Sequence, residues 1–209
     1  MRRALATLTC LLLAACAHAP ARSSHARPAV APAQLLPPSA LGFDFQWRQR
    51  VSASWPTGKQ SFDAVLQKQK GELILVGLSP LGLPGFVLRL RESGALDVEN
   101  RTGRELPFEP AYVLSDVQRV FFPWLAAPAP GFDGEQRGQR GAVQVAERYA
   151  AGRLASRSFE RQTQAGIERV SVSYGALAPG ADAPSVAELH NPLLGYSLRI
   201  ETLEQSRLP

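Results

Sequence analysis

Few residues in this 209-residue sequence are of the types that carry out catalysis or bind metals. Of its three histidines, His18 and His25 lie in a Pro- and Ala-rich stretch, which leaves His190 without a partner for holding a metal ion. The sequence contains no G-x-S-x-G, H-E-x-x-H or phosphate-binding loop. The acidic residues are scattered, as at Glu72, Glu99, Glu105 and Asp116. We therefore expect a protein that is not an enzyme and that uses no metal or cofactor; a hydrolase built around His190 is one alternative.

The residue with the clearest chemistry is Cys16. Arg2 and Arg3 form a positive start, and residues 5–13 form an apolar stretch that is too short to span a hydrocarbon core of about 30 Å. Leu13-Ala14-Ala15 then supplies small residues directly before the cysteine. This order predicts a signal peptide over residues 1–15.

The segment from Leu13 to Cys16 resembles the lipobox of bacterial lipoproteins, in which the cysteine thiol receives a diacylglyceryl group and the new amino terminus a further acyl chain. The resemblance implies a lipid anchor on Cys16, and Ala17 after it implies the periplasmic face of the outer membrane. The alternative is an ordinary signal peptide cleaved elsewhere. Cys10 lies in the segment to be removed, so disulfides and thiolate sites are excluded from the mature chain.

The charge balance is mildly positive. The chain has 23 Lys+Arg and 18 Asp+Glu, and loss of Arg2 and Arg3 with the signal leaves 21 against 18, or +3. Export excludes nucleic acid as a partner. The charge suits an anionic membrane surface or an acidic ligand, or it is simply a solvated face.

The composition changes near residue 42. Residues 16–41 are rich in Ala, Pro, Ser and Arg without periodicity, which predicts a lipidated cysteine followed by a disordered tether with a reach of about 25 to 30 Å. Residues 42–209 have the length of one domain with a substantial core, and we expect a monomer.

The domain begins with a strand pattern. Phe43, Phe45, Trp47 and Trp55 occupy odd positions and polar residues the even ones, which predicts a half-buried antiparallel strand. Turns near Lys70-Gly71 and Ser93-Gly94 predict a meander of four or five strands.

A helical stripe follows, with apolar residues at Val113, Val117, Val120, Phe121 and Trp124; Pro110 suits the first turn, and Pro123 ends or kinks the helix. Residues 126–141 are predicted to form a loop, and four more strands lie near residues 143–149, 154–159, 170–174 and 196–200. The expected fold class is mainly β (α+β): a strongly curved antiparallel sheet, or open half-barrel, of about 8–11 strands, with the amphipathic helix covering the concave face.

Several local motifs resemble a family of bacterial lipoproteins that is similar to LolB, the lipoprotein receptor of the outer membrane. They are the lipobox, Ser79-Pro80-Leu81-Gly82 between two strands, the aromatic helix end at Pro123-Trp124, and the segment from Asn191 to Ile200. The resemblance implies a LolA/LolB-like incomplete barrel around an apolar cavity for acyl chains. It assigns Leu81 to cargo delivery, although Ser79 stands where that loop has Asn, and it leaves lipoprotein and lipid-like pigment open as cargo.

The loop between the two strands is apolar where hairpin tips are normally polar, with Leu78, Leu81, Leu83 and Phe86 set among prolines and glycines. It is predicted to be a membrane-contacting or cargo-transfer loop. The alternative is a loop that folds over the core and caps the end of the barrel.

The aromatic residues are candidates for lining a cavity between sheet and helix: Phe45, Trp47, Trp55, Phe62, Phe121, Trp124 and Tyr196. They form an ordinary core if the space between them is filled. The sequence thus predicts an outer-membrane lipoprotein that binds or transfers a hydrophobic cargo (lipid, acyl chain or lipoprotein), loaded by a periplasmic carrier. The alternative is a structural or interaction lipoprotein of an envelope assembly without a ligand cavity.

Overall fold

Eleven β-strands and one α-helix make up the part of the chain that the computed structural model describes, residues 34–178 and 180–209. The signal peptide, Cys16 and most of the predicted tether lie outside these residues. The strands are β1 Phe45–Trp55, β2 Gly58–Gln69, β3 Glu72–Leu78, β4 Pro84–Arg91, β5 Leu96–Asn100, β6 Gly134–Arg140, β7 Val143–Ala150, β8 Arg153–Thr163, β9 Gly166–Tyr174, β10 Val186–Asn191 and β11 Tyr196–Arg207. The helix α1 is Pro110–Phe121, and a short 3-10 helix spans Pro38–Ala40.

All eleven strands form one curved antiparallel sheet in the order β5-β4-β3-β2-β1-β11-β10-β9-β8-β7-β6. The first and last strands pair at its middle, while β5 and β6 are unpaired edges, so the sheet does not close. Strands β1–β5 are contiguous in sequence, as are β6–β11, and α1 lies between the two sets. The predicted fold class is confirmed.

Side chains alternate between the two faces of the sheet as the sequence predicts. In β1, Phe45, Trp47 and Gln49 are buried on the face that carries the helix, here called the inner face, while Arg48 and Arg50 point to the opposite outer face. The partners of β1 follow the same rule, since Trp47 pairs with the buried Leu66 on β2.

The predicted helix is confirmed, with Pro110 in its first turn; it ends at Phe121, so Trp124 of the predicted stripe lies beyond it, after Pro123. Its sequence is amphipathic, yet every residue from Leu114 to Val120 is buried, among them Asp116, Gln118 and Arg119. The helix therefore presents charge to the protein interior as well as an apolar stripe.

Two strands were missed by the sequence analysis. Strand β6 lies within residues 126–141, which were predicted to be a loop; its Gly- and charge-rich sequence is typical of a sheet edge, which must avoid pairing with other chains. Strand β10 is short, and two of its three inward residues, Ala187 and Asn191, give little apolar signal.

Residues 35–41, here called the strap, pack on the inner face rather than belonging to a tether. The Leu36 N–H donates to Gln118 Oε1 at 2.7 Å, and Gln118 Nε2 donates to the Leu36 carbonyl at 2.7 Å. Leu36 and Leu41 are buried in the core. The domain therefore begins earlier than the predicted boundary at residue 42. The single helix has only 12 residues, and the strap covers a further part of the inner face.

Candidate functional site

The inner face of β1–β5 is mainly apolar; its buried polar residues are Gln49 and Lys68, and Lys68 Nζ lies 2.7 Å from Asp44 Oδ1. The Phe45 and Trp47 rings stack with centroids 3.9 Å apart, and the Phe121 ring meets Trp47 edge-on at 5.2 Å. Leucines at 66, 73, 88 and 90 are completely buried beside them. We call this region the apolar half.

The inner face of β7–β11 holds buried charge, and we call it the ionic half. Glu168 on β9 lies at its centre, with Arg119 Nη2 3.1 Å from Oε1 and Arg161 Nη2 2.7 Å from Oε2. The Asn191 amide also donates to Oε1 at 3.2 Å. Burial disfavours this carboxylate, but the two guanidinium groups hold the pKa of Glu168 below its ordinary value.

Asp116 extends the cluster from the helix. Its carboxylate lies 3.1 Å from Arg119 Nη1 and accepts a short hydrogen bond from the Tyr196 hydroxyl. Burial raises the pKa of Asp116 to about 6, although Arg119 acts in the opposite direction. Burial and the neighbouring Asp116 also raise the pKa of Tyr196, so the phenol is a stable hydrogen-bond donor.

A second buried ion pair supports the end of the helix. Arg157 on β8 lies 2.8 Å from Glu147 on β7 and donates to the carbonyls of Arg119 and Phe122, at 2.9 Å each. The Tyr174 hydroxyl donates to the Val120 carbonyl at 2.8 Å. Cationic donors at a helix C-terminus satisfy free carbonyls and oppose the negative end of the helix dipole. These contacts fix α1 on the ionic half.

The cluster holds the helix on the sheet through its ion pairs. Each of its carboxylates is engaged by a cation, and no group of three or more metal-ligating side chains occurs within residues 34–178 and 180–209. His190 lies apart on the outer face, where Nδ1 is 2.8 Å from Ser197 Oγ. The prediction that the protein is not an enzyme stays a prediction.

Three buried polar atoms lie at the seam between the halves without a hydrogen-bond partner in the described structure. They are Trp47 Nε1 and Gln49 Nε2 on β1 and Thr202 Oγ1 on β11. Gln49 and Thr202 are register partners, and Trp47 lies two residues from Gln49 on the same face. Since buried polar groups are nearly always paired, this seam is suited to an additional hydrogen-bond acceptor, such as water or a carbonyl group.

The predicted transfer loop is a tight hairpin tip. The Gly82 N–H donates to the Ser79 carbonyl and the Ser79 N–H to the Leu83 carbonyl, each at 2.8 Å. Gly82 has φ +76°, which glycine tolerates best. Leu81 is 85% exposed and Leu83 63% exposed. Two large apolar side chains are thus held in water by a fixed turn.

The other two residues of the predicted loop lie elsewhere. Leu78 is half-buried at the end of β3. Phe86 is buried, with its ring over Gly77, where a Cβ would lie 2.0 Å from it, and against Phe108 at 5.1 Å.

The seven aromatic cavity candidates do not share one space. Phe45, Trp47 and Phe121 form the cluster described above, whereas Trp124 packs on Phe159 and Phe62 on Phe86. Trp55 lies at the end of the β1–β2 hairpin beside Gly58, and Tyr196 belongs to the ionic half. Two cavities, of about 1020 and 640 Å³, both lie on the outer face, and none of the seven lines either one.

Most of the chain, residues 46–204, matches the family described as "Protein of unknown function (DUF3261)". The chain belongs to this family. No curated protein matches the sequence of this DUF3261 chain.

Solved structures resemble the DUF3261 chain in fold. A LolA superfamily protein from Nitrosomonas europaea is 11% identical, with TM-score 0.48 over 81% of this chain and 89% of that one. A domain named for outer membrane lipoprotein sorting, from Vibrio parahaemolyticus, is 11% identical, with TM-score 0.49 over 79% and 85%. A DUF1329 family protein from Desulfovibrio piger is 9% identical, with TM-score 0.39 over 81% and 88%. Similarity at this level concerns the path of the backbone alone. The resemblance to LolB itself stays a prediction.

The ionic half was not predicted from the sequence, although its residues carry a signal. Glu147, Arg157 and Glu168 occupy positions where strand alternation with Val145, Phe159 and Val170 demands an inward side chain. Charge at inward positions of three neighbouring strands indicates a buried ion-pair cluster. The helix residue Asp116 was noted only as one of several scattered acids.

Proposed function

We propose that this DUF3261 protein is a non-enzymatic lipoprotein of the cell envelope that contacts the membrane, or a hydrophobic cargo, through its hairpin tip. The observation that carries the proposal is the exposure of Leu81 and Leu83 on a turn whose backbone is fixed by three hydrogen bonds. Among the described residues, no helix has the length and apolar character that a membrane span requires. Attachment would come from the lipid on Cys16, at the periplasmic face of the outer membrane.

The energetics favour the tip as the contact element. Two leucine side chains entering an acyl layer, at about 1.5 to 3 kcal/mol each, contribute roughly 3 to 6 kcal/mol. Basic residues near an anionic surface contribute about 1 kcal/mol each and are screened by salt. A membrane contact of this protein should therefore depend on Leu81 and Leu83 more than on charge.

The apolar half is the place for an alkyl chain of the cargo. The strap now covers it. Leu36 and Leu41 are buried in the core, Leu36 hydrogen-bonds to Gln118 of α1, and the Ser39 N–H donates to Glu92 Oε2 at 3.0 Å. A cargo chain would displace the strap, while Trp47 Nε1 and Gln49 Nε2 at the seam could donate to an ester or amide carbonyl. A periplasmic carrier would then supply the cargo.

The test is vesicle association of the full chain carrying Cys16→Ser, which cannot be lipidated. Leu81→Glu should lower the affinity for phosphatidylglycerol-containing vesicles about 10- to 100-fold, since each 1.4 kcal/mol is tenfold. The matched control is Leu203→Glu, an exposed leucine on β11 that is away from the tip. Equal binding by the Leu81→Glu variant and its parent, in a cosedimentation assay, would refute the tip as the contact element.

A structural or interaction lipoprotein remains the second candidate, because α1 and the strap fill the inner face. Native mass spectrometry of protein extracted in mild detergent separates the two. A co-purifying lipid supports the cargo function, whereas a clean apo mass supports a structural role.

A further inference from the structure

The larger of the two cavities, here called the outer cavity, lies opposite the helix. Its volume of about 1020 Å³ is at the top of the range of roughly 300 to 1,000 Å³ that is usual for small-molecule sites. Its lining comes from β1, β2 and β6–β11. The 640 Å³ cavity shares Ala146, Ser158, Ser171 and His190 with it, so the two form one elongated groove.

Serine is the most frequent residue type that lines the outer cavity. Eight of its lining residues are serines, including Ser156 and Ser158 on β8 and Ser171 and Ser173 on β9. These four make no side-chain hydrogen bond to any described residue, and each hydroxyl is both a donor and an acceptor. No Phe, Tyr or Trp among the described residues lines the cavity. The surface is suited to a ligand with many hydroxyl groups rather than to an alkyl chain.

The charged side chains of the outer cavity that have no ion-pair partner among the described residues are cationic. Its two acidic residues are already paired, Glu188 with Arg199 and Glu135 with Arg137. Lys59 on β2 and Arg148 on β7 line opposite sides of the cavity, and neither has an ion-pair partner among the described residues. These two cations are available to an anionic group.

We propose that the outer cavity binds an acidic oligosaccharide, a short chain of sugars that carries carboxylate or phosphate groups. The serines would hydrogen-bond the sugar hydroxyls, Lys59 and Arg148 would bind the acidic groups, and the elongated groove would follow the chain of sugars. A free phosphate ion would use the cations alone and leave the serines without a role. The site lies on the face opposite the strap and does not depend on the function proposed above.

The test is calorimetric titration of the purified protein with a tetramer of galacturonic acid. Lys59→Ala combined with Arg148→Ala should weaken binding about tenfold or more, because two charge-assisted hydrogen bonds are lost. Ser158→Val combined with Ser171→Val should also weaken binding, because two hydroxyl groups are lost. Valine is favoured in β-strands, so the strands themselves should stay intact. The matched control is Arg101→Ala combined with Arg104→Ala, which removes two exposed arginines away from the cavity.

Three results would overturn the proposal. One is equal loss of affinity in the arginine control pair. Another is equal binding of the neutral tetramer maltotetraose. A third is binding of inorganic phosphate as tight as that of the acidic tetramer, with no effect of the serine substitutions. An unchanged unfolding midpoint in each variant establishes that the domain is intact, and vesicle binding by the hairpin tip is measured separately.

Discussion

The two halves of the inner face are held together by different interactions: apolar packing in one and buried ion pairs in the other. The apolar half is filled by aromatic and leucine side chains and covered by the strap, which hydrogen-bonds to Gln118 through Leu36 and to Glu92 through Ser39. The ionic half holds α1 through Glu168, Arg119 and Arg157. Apolar contact tolerates exchange of one alkyl group for another, whereas a buried ion pair loses several kcal/mol when one partner is removed. We therefore expect the apolar half to tolerate substitution better than the ionic half.

The largest expected effect is in the ionic half. Glu168→Gln removes the buried carboxylate shared by Arg119 and Arg161 and should lower the free energy of unfolding by about 3 to 5 kcal/mol, because one negative charge of a buried ion-pair cluster is lost. Urea denaturation measures the loss. Glu188→Gln is the matched control, since it breaks an exposed ion pair with Arg199 and should leave stability unchanged within error. Equal effects of the two substitutions would remove the distinction between the halves.

The next effect depends on pH. Burial raises the pKa of Asp116 from its ordinary 3.8 to about 6. Between about pH 4 and 6 the folded protein keeps this proton and the unfolded chain releases it, so the contribution of Asp116 to stability falls as pH rises, by about 3 kcal/mol in all. Asp116→Asn, whose neutral amide replaces the protonated acid, should abolish this fall. Denaturation at pH 4, 5, 6 and 7 should show the free energy of unfolding of the parent protein decreasing relative to that of the variant as pH rises.

Asp182 provides a control of opposite sign. Its hydrogen bond with Arg207 lowers the pKa of this carboxyl, so its contribution is present above the ordinary pKa and is lost as pH falls. Asp182→Asn should therefore reduce stability at pH 7 more than at pH 3. If the difference in free energy of unfolding between the parent protein and the Asp116→Asn variant did not change with pH, burial would not be the cause of the raised pKa of Asp116.

The smallest expected effect concerns the strap. Leu36→Ala should cost about 2 kcal/mol, at the low end for a buried leucine, because the strap can shift to fill part of the space. Leu35→Ala is the comparison, since Leu35 is only partly buried and should cost less. Hydrogen exchange tests the strap more directly. If the strap detaches from the sheet, the Leu36 amide should be protected from exchange much less than the amides of β9. Equal protection would show that both halves open together.

Much of this fold follows from local pattern. Phe45, Trp47 and Trp55 marked β1 by strict alternation, and Pro110 and Pro123 marked the ends of α1. The exposed Leu81 was identified because an apolar hairpin tip conflicts with ordinary turn chemistry. These features depend only on neighbouring residues, so the sequence contains them directly.

Other features depend on pairings between distant residues. Glu168 meets Arg119 across 49 positions and Leu36 meets Gln118 across 82, and no local period indicates such partners. The strap appeared disordered because its packing is supplied by the sheet rather than by its own sequence. The outer cavity arises from curvature across eight strands, which alternation alone does not predict.

The pairing of β1 with β11 has a consequence for how the chain acquires its structure. The middle of the sheet cannot be completed until residues 196–207 are available, and up to then β1 has a free edge on one side. Such a long-range closure is slow relative to local hairpins. The two sets of strands, β1–β5 and β6–β11, are therefore joined into one sheet only after the final strand is available.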